Sequence, residues 1–233
     1  MYSAIMSTEE KSGRHERHDD VPEPLDAPEP RDVPESLGTR ERLVRSTQEL
    51  LWERGYVGTS PKAILERAGV GQGSMYHHFS GKSGLALAAI RRTAEELTAA
   101  AEECLATPGT AYDRIAAYLL RERQALRGCP IGRMTQDRDV VRNAALRAPL
   151  DEMFDWLRGR ITDILTEGQR GGELSGELAP AATAATVTAV VQGGYVLARA
   201  ADDPAPFDAA VQGVLALLSA QSTADRPATT PAD

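Results

Sequence analysis

The run GVGQGSMYHHFSGKS, residues 69–83, places glycines, two adjacent histidines, a tyrosine and a GKS triplet within fifteen positions. Such a stretch can hold an anion in three ways: as a nucleotide phosphate loop, through a metal, or on the backbone of DNA. A phosphate loop needs Gly, four residues and then GK[ST] after a buried strand. With GKS at 81–83 the first glycine would fall at position 76, which is Tyr76. The segment before it also reads as helix. A metal reading fails on direction, because His77 and His78 point about 100° apart on a helix and cannot share one ion. Cys104 and Cys129 lie far off without paired spacing, so zinc is not expected.

Double-stranded DNA fits best. A recognition helix offers short polar side chains near its N-terminus, with phosphate donors on its flanks. Gln72 and Ser74 suit base-edge or backbone contact. Gly73 lets the helix approach closely, and Tyr76 and His77 bring a hydroxyl and an imidazole. Lys82 joins a positive charge to the start of the next helix, a good phosphate site. Thr59 and Ser60 open the supporting helix with hydroxyls and free N–H groups. Arg40 and Arg45 lie on the helix before it.

The elements that must position these residues all read as helices, with no alternating strand pattern of useful length. The first runs from a Thr39 cap to about Arg54 and ends at Gly55, with Leu43, Val44, Thr47, Leu50 and Leu51 on one face. Ser60 caps the next, Pro61 takes its first position, and Gly69 stops it. A second short helix covers about Gln72 to His78, with Val70, Met75 and Phe79 pointing inward. Two short helices joined by a glycine turn form a helix-turn-helix.

After Lys82 a long helix carries the stripe Leu87, Ile90, Ala94, Leu97, Ala101, Leu105. Further helices are expected over Tyr112–Leu126, about Met134–Arg147, from Pro149 through Ile164, about Ala181–Ala201, and from Phe207 to Leu218. The fold class is therefore all-α with about nine helices. Residues 1–36 are Pro-rich, acidic and almost free of apolar side chains, and read as a disordered tail. Residues 37–83 read as the DNA-binding domain, 84–220 as a C-terminal ligand-binding and dimerisation domain, and 221–233 as a second tail.

Composition limits the function classes. Apolar residues make up 42% of the 233, enough to fold most of the chain. Two cysteines are too few for a disulfide framework and suit a reducing cytosol. The start of the chain lacks a signal-peptide pattern, and the apolar segment near 181–198 is broken by Thr, Gln and Gly, a poor membrane span. The net charge of −8 is uneven: −6 over residues 1–36, +5 over 37–94 and −7 over the rest. A basic block between acidic ones has its own electrostatic task. No nucleophile–base–orienter set is found, so neither catalysis nor a cofactor is expected.

The run TRERLV…LLWERGYVGTSPKAI…AGVGQGSMYHHFSGKSGL resembles the DNA-binding domain of the TetR/AcrR family of bacterial transcriptional regulators over about residues 39–90. The resemblance implies that Gln72, Ser74, Tyr76 and His77 face DNA, that Lys82 and Thr59 hold phosphates, and that His78 and Phe79 pack inward. Two positions depart from the family pattern: Gly71, usually a Ser cap, and Trp52, where Ala is common. The segments GCPIG and QGGYVLARAADDPAPFDAAVQGVLALL are similar to a multidrug-efflux-repressor-like subgroup. That similarity implies a homodimer built by the last two helices and a small-molecule pocket among the middle ones.

Pocket candidates are Tyr118, Met134, Met153, Trp156, Gln192 and Tyr195, each with ordinary core or interface as the alternative. The resulting expectation is a cytoplasmic repressor that binds a palindromic operator as a homodimer and is released by a small, largely apolar effector. A regulator of the same fold that senses no small molecule, or that activates, is the alternative.

Overall fold

The computed structural model describes residues 37–223. The readings on residues 1–36 and 224–233 lie outside the described residues. Ten helices follow one another: α1 Thr39–Arg54, α2 Pro61–Ala68, α3 Gln72–His78, α4 Gly81–Leu105, α5 Ala111–Leu120, α6 Pro130–Met134, α7 Arg138–Arg142, α8 Ala144–Arg170, α9 Pro180–Ala201 and α10 Ala205–Ser219.

Local chemistry sets the ends of the first helices. Ser60 sits in extended backbone and its hydroxyl accepts from the N–H of Ala63 at 3.1 Å, with Pro61 at the first helical position. Gly69 takes the left-handed conformation (φ 61°, ψ 39°) that a side chain disfavours. There the N–H groups of Gly69 and Val70 turn back to the carbonyls of Glu66 and Leu65. Gly55 closes α1 at φ 73°. The cap of α1 is Gly38, one residue before the expected Thr39.

The middle of the chain departs further from expectation. α5 stops at Leu120 rather than Leu126, because Arg123 folds back and donates to the carbonyls of Tyr118 and Leu119 at 2.6 and 2.7 Å. The stretch expected as one helix over 134–147 is divided between α6, α7 and α8. Asp137 caps α7, and Asn143 caps α8 by accepting from Ala145 and Leu146. Pro149 lies inside the second turn of α8 instead of opening it.

Two apolar clusters hold the helices. The first joins Leu43, Leu50, Ile64, Met75, Leu85 and Ile90 to Ile131, Met134, Val140, Leu146, Leu150 and Met153. α6 packs against α1 and α4, and α7 against α8, which joins the helix-turn-helix core to the middle of the chain. The second gathers the end of α4 with α5, the rest of α8, α9 and α10. α9 has the length and composition of a membrane-crossing helix, at mean hydropathy 1.3. Its stripe Ala184, Val187, Val191, Gly194 and Ala198 is buried in the helical bundle, where a Cβ at Gly194 would stand 2.9 Å from the Phe207 ring. Residues 221–223 are tied to the loop after α8: Ser175 donates to the Gln221 carbonyl at 2.8 Å and Thr223 to that of Glu173 at 3.0 Å.

Candidate nucleic-acid interface

α3 is anchored by a single fully buried side chain, Met75, with Phe79 half-buried behind it. The opposite side of the helix is left to solvent: Gln72, Gly73, Tyr76 and His77 are exposed and Ser74 is half-buried. Tyr76, at 59% exposure, is a large aromatic with no internal packing task. A Cβ at Gly73 would meet nothing within 4 Å, so nothing inside the protein requires glycine there. A groove of about 770 Å³ runs between α2 and α3, bordered by Ser60, Lys62, Glu66, Gln72 and Tyr76.

The flanks are mixed. Lys82 lies beside α3 with its Nζ 4.2 Å from the centre of the Tyr56 ring. Burial pushes its ammonium below the ordinary lysine value, and the charges of Asp137 and Asp139 push it back up. Arg40 is exposed over the Phe79 ring at 5.4 Å. Ser60 is exposed, and its oxygen is occupied as a cap while its O–H remains available. Two expectations need correction. Thr59 is 1% exposed and its hydroxyl donates to the Gly55 carbonyl at 2.7 Å, so its side chain closes the turn after α1 and is not presented to a phosphate. His78 is exposed, edge-on to His77 and Phe79, rather than packed inward.

A strap joins α1 to the middle of the chain. The Trp52 indole N–H donates to the Gly128 carbonyl at 3.0 Å, and Arg127 lies over the Trp52 ring while pairing with Glu49. Arg133 donates to the Glu53 carbonyl at 2.9 Å, and the Asp137 carboxylate accepts from the N–H of Val57, also at 2.9 Å. Trp52 therefore reaches the α5–α6 connection.

Next to this strap a cleft of about 790 Å³ opens between α6, α8 and α9. Of the expected pocket residues, Gln192 and Tyr195 line it. The other four do not. Tyr118 is buried in the second cluster, Met134 and Met153 in the first, and Trp156 is packed half-buried against the second. Only Met134, at the end of the short α6, comes from an irregular stretch; Tyr118 lies in α5 and Met153 and Trp156 in α8, whose packing turns them toward the core. Residues not anticipated line the cleft instead: Cys129, Phe154, Arg133, Arg158 and Arg199. No periodicity could have joined them, since they come from three helices far apart in sequence. Burial pushes the Tyr195 hydroxyl up to about 12, so it stays a protonated donor at neutral pH.

Comparison with known proteins turns this arrangement into a family assignment. The pattern described as "Bacterial regulatory proteins, tetR family" matches residues 43–89, and "Tetracyclin repressor-like, C-terminal domain" matches 110–214. The chain belongs to the TetR family. An HTH-type transcriptional regulator encoded in the lacX 3' region of Lactococcus lactis is 27% identical over 71% of this chain and 85% of its own. The transcriptional repressor DhaR of a Mycobacterium species is 25% identical over 72% of this chain and 86% of its own. A TetR transcriptional regulator from Chloroflexus aurantiacus has the same fold at TM-score 0.73, with 29% identity over 79% of this chain and 96% of that one.

As a TetR-family member the protein is a DNA-binding transcriptional regulator and not an enzyme. The first match spans most of α1 through the beginning of α4, the elements that present Tyr76. The second runs from just before α5 into α10 and takes in the cleft and the Arg127–Asp137 side of the strap, whose other side on α1 falls in the first.

Proposed function

We propose that the protein is a ligand-responsive repressor, active in the cytoplasm as a homodimer, which binds a palindromic operator and releases it when a small effector with an apolar body enters the cleft. The observation that carries the reading is the outward face of α3, where Gln72, Gly73, Tyr76 and His77 stand exposed on a helix held by Met75 alone. Such a face can enter the major groove, with Lys82, Ser60 and Arg40 at the phosphates on either side. Repression accords with the activity named for DhaR.

A single recognition helix per chain reads a palindrome only through two-fold pairing. The surface suited to that pairing lies on α9 and α10. Leu197 and Leu217 are 55% and 68% exposed there, and Cβ atoms at Gly193 and Gly213 would meet nothing within 4 Å. A second copy of the same face would cover these residues, as close-packing helices require.

Selection of duplexes from a random pool with the purified protein identifies the operator. Tyr76→Ala and Lys82→Ala are then expected to weaken binding at least about tenfold while leaving the melting temperature and the sedimentation of the protein in place. Wild-type binding by both variants would remove α3 from the interface.

A further inference from the structure

The cleft between α6, α8 and α9 is positive. Arg133, Arg158 and Arg199 line it, and no Asp or Glu is among its lining residues. Arg158 pairs with Asp155, one turn before it on α8. Arg133 is satisfied on one side only: its Nη2 donates to the Glu53 carbonyl, while its Nε is buried without a partner. Arg199 lays its stem across Gly128, where a Cβ would stand 3.3 Å from Arg199 Cδ, and none of the ion pairs among the described residues includes it. Burial, and after it the neighbouring charge of Arg199, pushes the Arg133 guanidinium below its ordinary value. Two like charges thus share one space, and among the described residues no carboxylate lines the cleft between them.

A further cation lies behind the Tyr195 wall. Arg123 is stacked over the rings of Tyr118 and Phe207, and its Nη atoms donate to the carbonyls of Tyr118, Leu119 and Arg121. Its Nε is buried without a partner, and its charge is felt at Tyr195. The remaining walls are apolar or neutral: Phe154, the alanines of α9, Tyr195 and Gln192. Gln192 lies close over Gly132, where a Cβ would collide with its side-chain oxygen.

We infer that this cleft binds a small organic anion, an acid head between Arg133 and Arg199 with an apolar body against Phe154 and Tyr195. The inference rests on the cleft being the effector site proposed above, and it adds the chemical class of the effector. Guanidinium groups pair with planar oxyanions through two parallel N–H bonds, which is stronger than either contact alone. Arg133 is also the group that holds the Glu53 carbonyl of α1. An anion that draws the guanidinium into the cleft weakens that hold, so occupancy is reported to the helix-turn-helix through the strap.

Two fluorescent dyes test the inference on the full chain. The anionic 8-anilinonaphthalene-1-sulfonate and the neutral N-phenyl-1-naphthylamine share one ring system and differ by the sulfonate. The sulfonate dye is expected to saturate at one per chain, to bind at least about tenfold tighter than the neutral dye, and to weaken as salt is added. Arg133→Gln and Arg199→Gln should each weaken the sulfonate dye by about tenfold and leave the neutral dye unchanged. Arg199 is exposed, so its variant keeps the test valid if Arg133→Gln disturbs α1.

Equal affinity for the two dyes, indifference of the sulfonate dye to both substitutions, or no binding by either dye overturns the inference. The last outcome is the one expected if a second copy fills the cleft. Operator binding measured alongside separates the two readings. A sulfonate dye that binds as described and leaves the operator bound upholds the anion site and contradicts effector release. A neutral dye that binds as tightly and frees the operator does the reverse.

Discussion

A Cβ at Gly168 of α8 would stand 2.6 Å from the Cβ of Ala111 and 3.0 Å from Leu174, whereas one at Gly159 of the same helix would meet nothing. Alanine in a helix interior is favoured over glycine by about 1 kcal/mol. Overpacking a tight contact costs about 1–3 kcal/mol, and a neighbouring Cβ cannot rotate aside. The two effects therefore part at these positions. Gly159→Ala is expected to raise stability by about 0.5–1 kcal/mol and Gly168→Ala to lower it by about 1–3 kcal/mol, both read from urea unfolding. A gain at both positions would mean that α5 and α8 are not in contact at Gly168. The same distinction between local pattern and tertiary surroundings governs the site residues. Tyr76 and His77 could be placed outward from helix direction alone, since Met75 fixes which side of so short a helix faces in. Thr59 could not. A hydroxyl before a helix reads as a donor to solvent, and only the fold reveals that it is spent on Gly55.

The start of α5 shows how an element's ends respond to pH. Thr110 and Asp113 form a capping box, with the Asp113 carboxylate accepting from the Thr110 N–H at 2.9 Å and its hydroxyl at 2.7 Å. These bonds, the hydroxyl's first, hold the Asp113 carboxyl below its ordinary value. A depressed carboxylate contributes stability that is full above its unfolded pKa of about 4 and is lost as pH falls through the folded value. Asp113→Asn should therefore melt below the wild type at pH 7, and the gap should close as pH falls through the folded value of Asp113. Glu167, held low by Arg114, moves in the same direction and leaves part of the acid loss in the variant. A gap that persists unchanged at low pH would contradict the assignment. Elements with written ends, α1–α3 above all, were legible because Ser60, Pro61 and Gly69 act on their own backbone. The stretch from 121 to 147 was not, because its breaks depend on single polar contacts that no periodicity announces. Arg123 stops α5 from below, and Asp137 is shared between the cap of α7 and the N–H of Val57 beyond α1. The cleft inherits that illegibility, its arginines coming from α6, α8 and α9 with no spacing to connect them.

At the scale of the whole molecule, the strap places the cleft and the helix-turn-helix on one continuous set of contacts. Gly128 and Arg133 line the cleft and also hold Trp52 and the Glu53 carbonyl. Any ligand that prefers one arrangement of this strap shifts the population of the other, and by no more than its difference in affinity for the two. In the proposed dimer, what the strap moves acts through the spacing of two copies of α3, so the face of α9 and α10 is the surface to test. Leu217 projects from α10 and Leu197 from α9, both more than half exposed and neither part of the buried clusters. Replacing both with Glu places four like charges across a two-fold interface while removing nothing from the core. The doubly substituted protein should keep its helical circular dichroism and sediment as a monomer. It should still bind an isolated half-site as the wild type does, because α3 is untouched. On the full palindrome it should lose about 10²–10⁴-fold in affinity, the gain that linking two binding events provides. A protein that remains dimeric with both charges in place would move the interface elsewhere. A monomer that keeps full operator affinity would show that one copy of α3, unaided, accounts for DNA recognition.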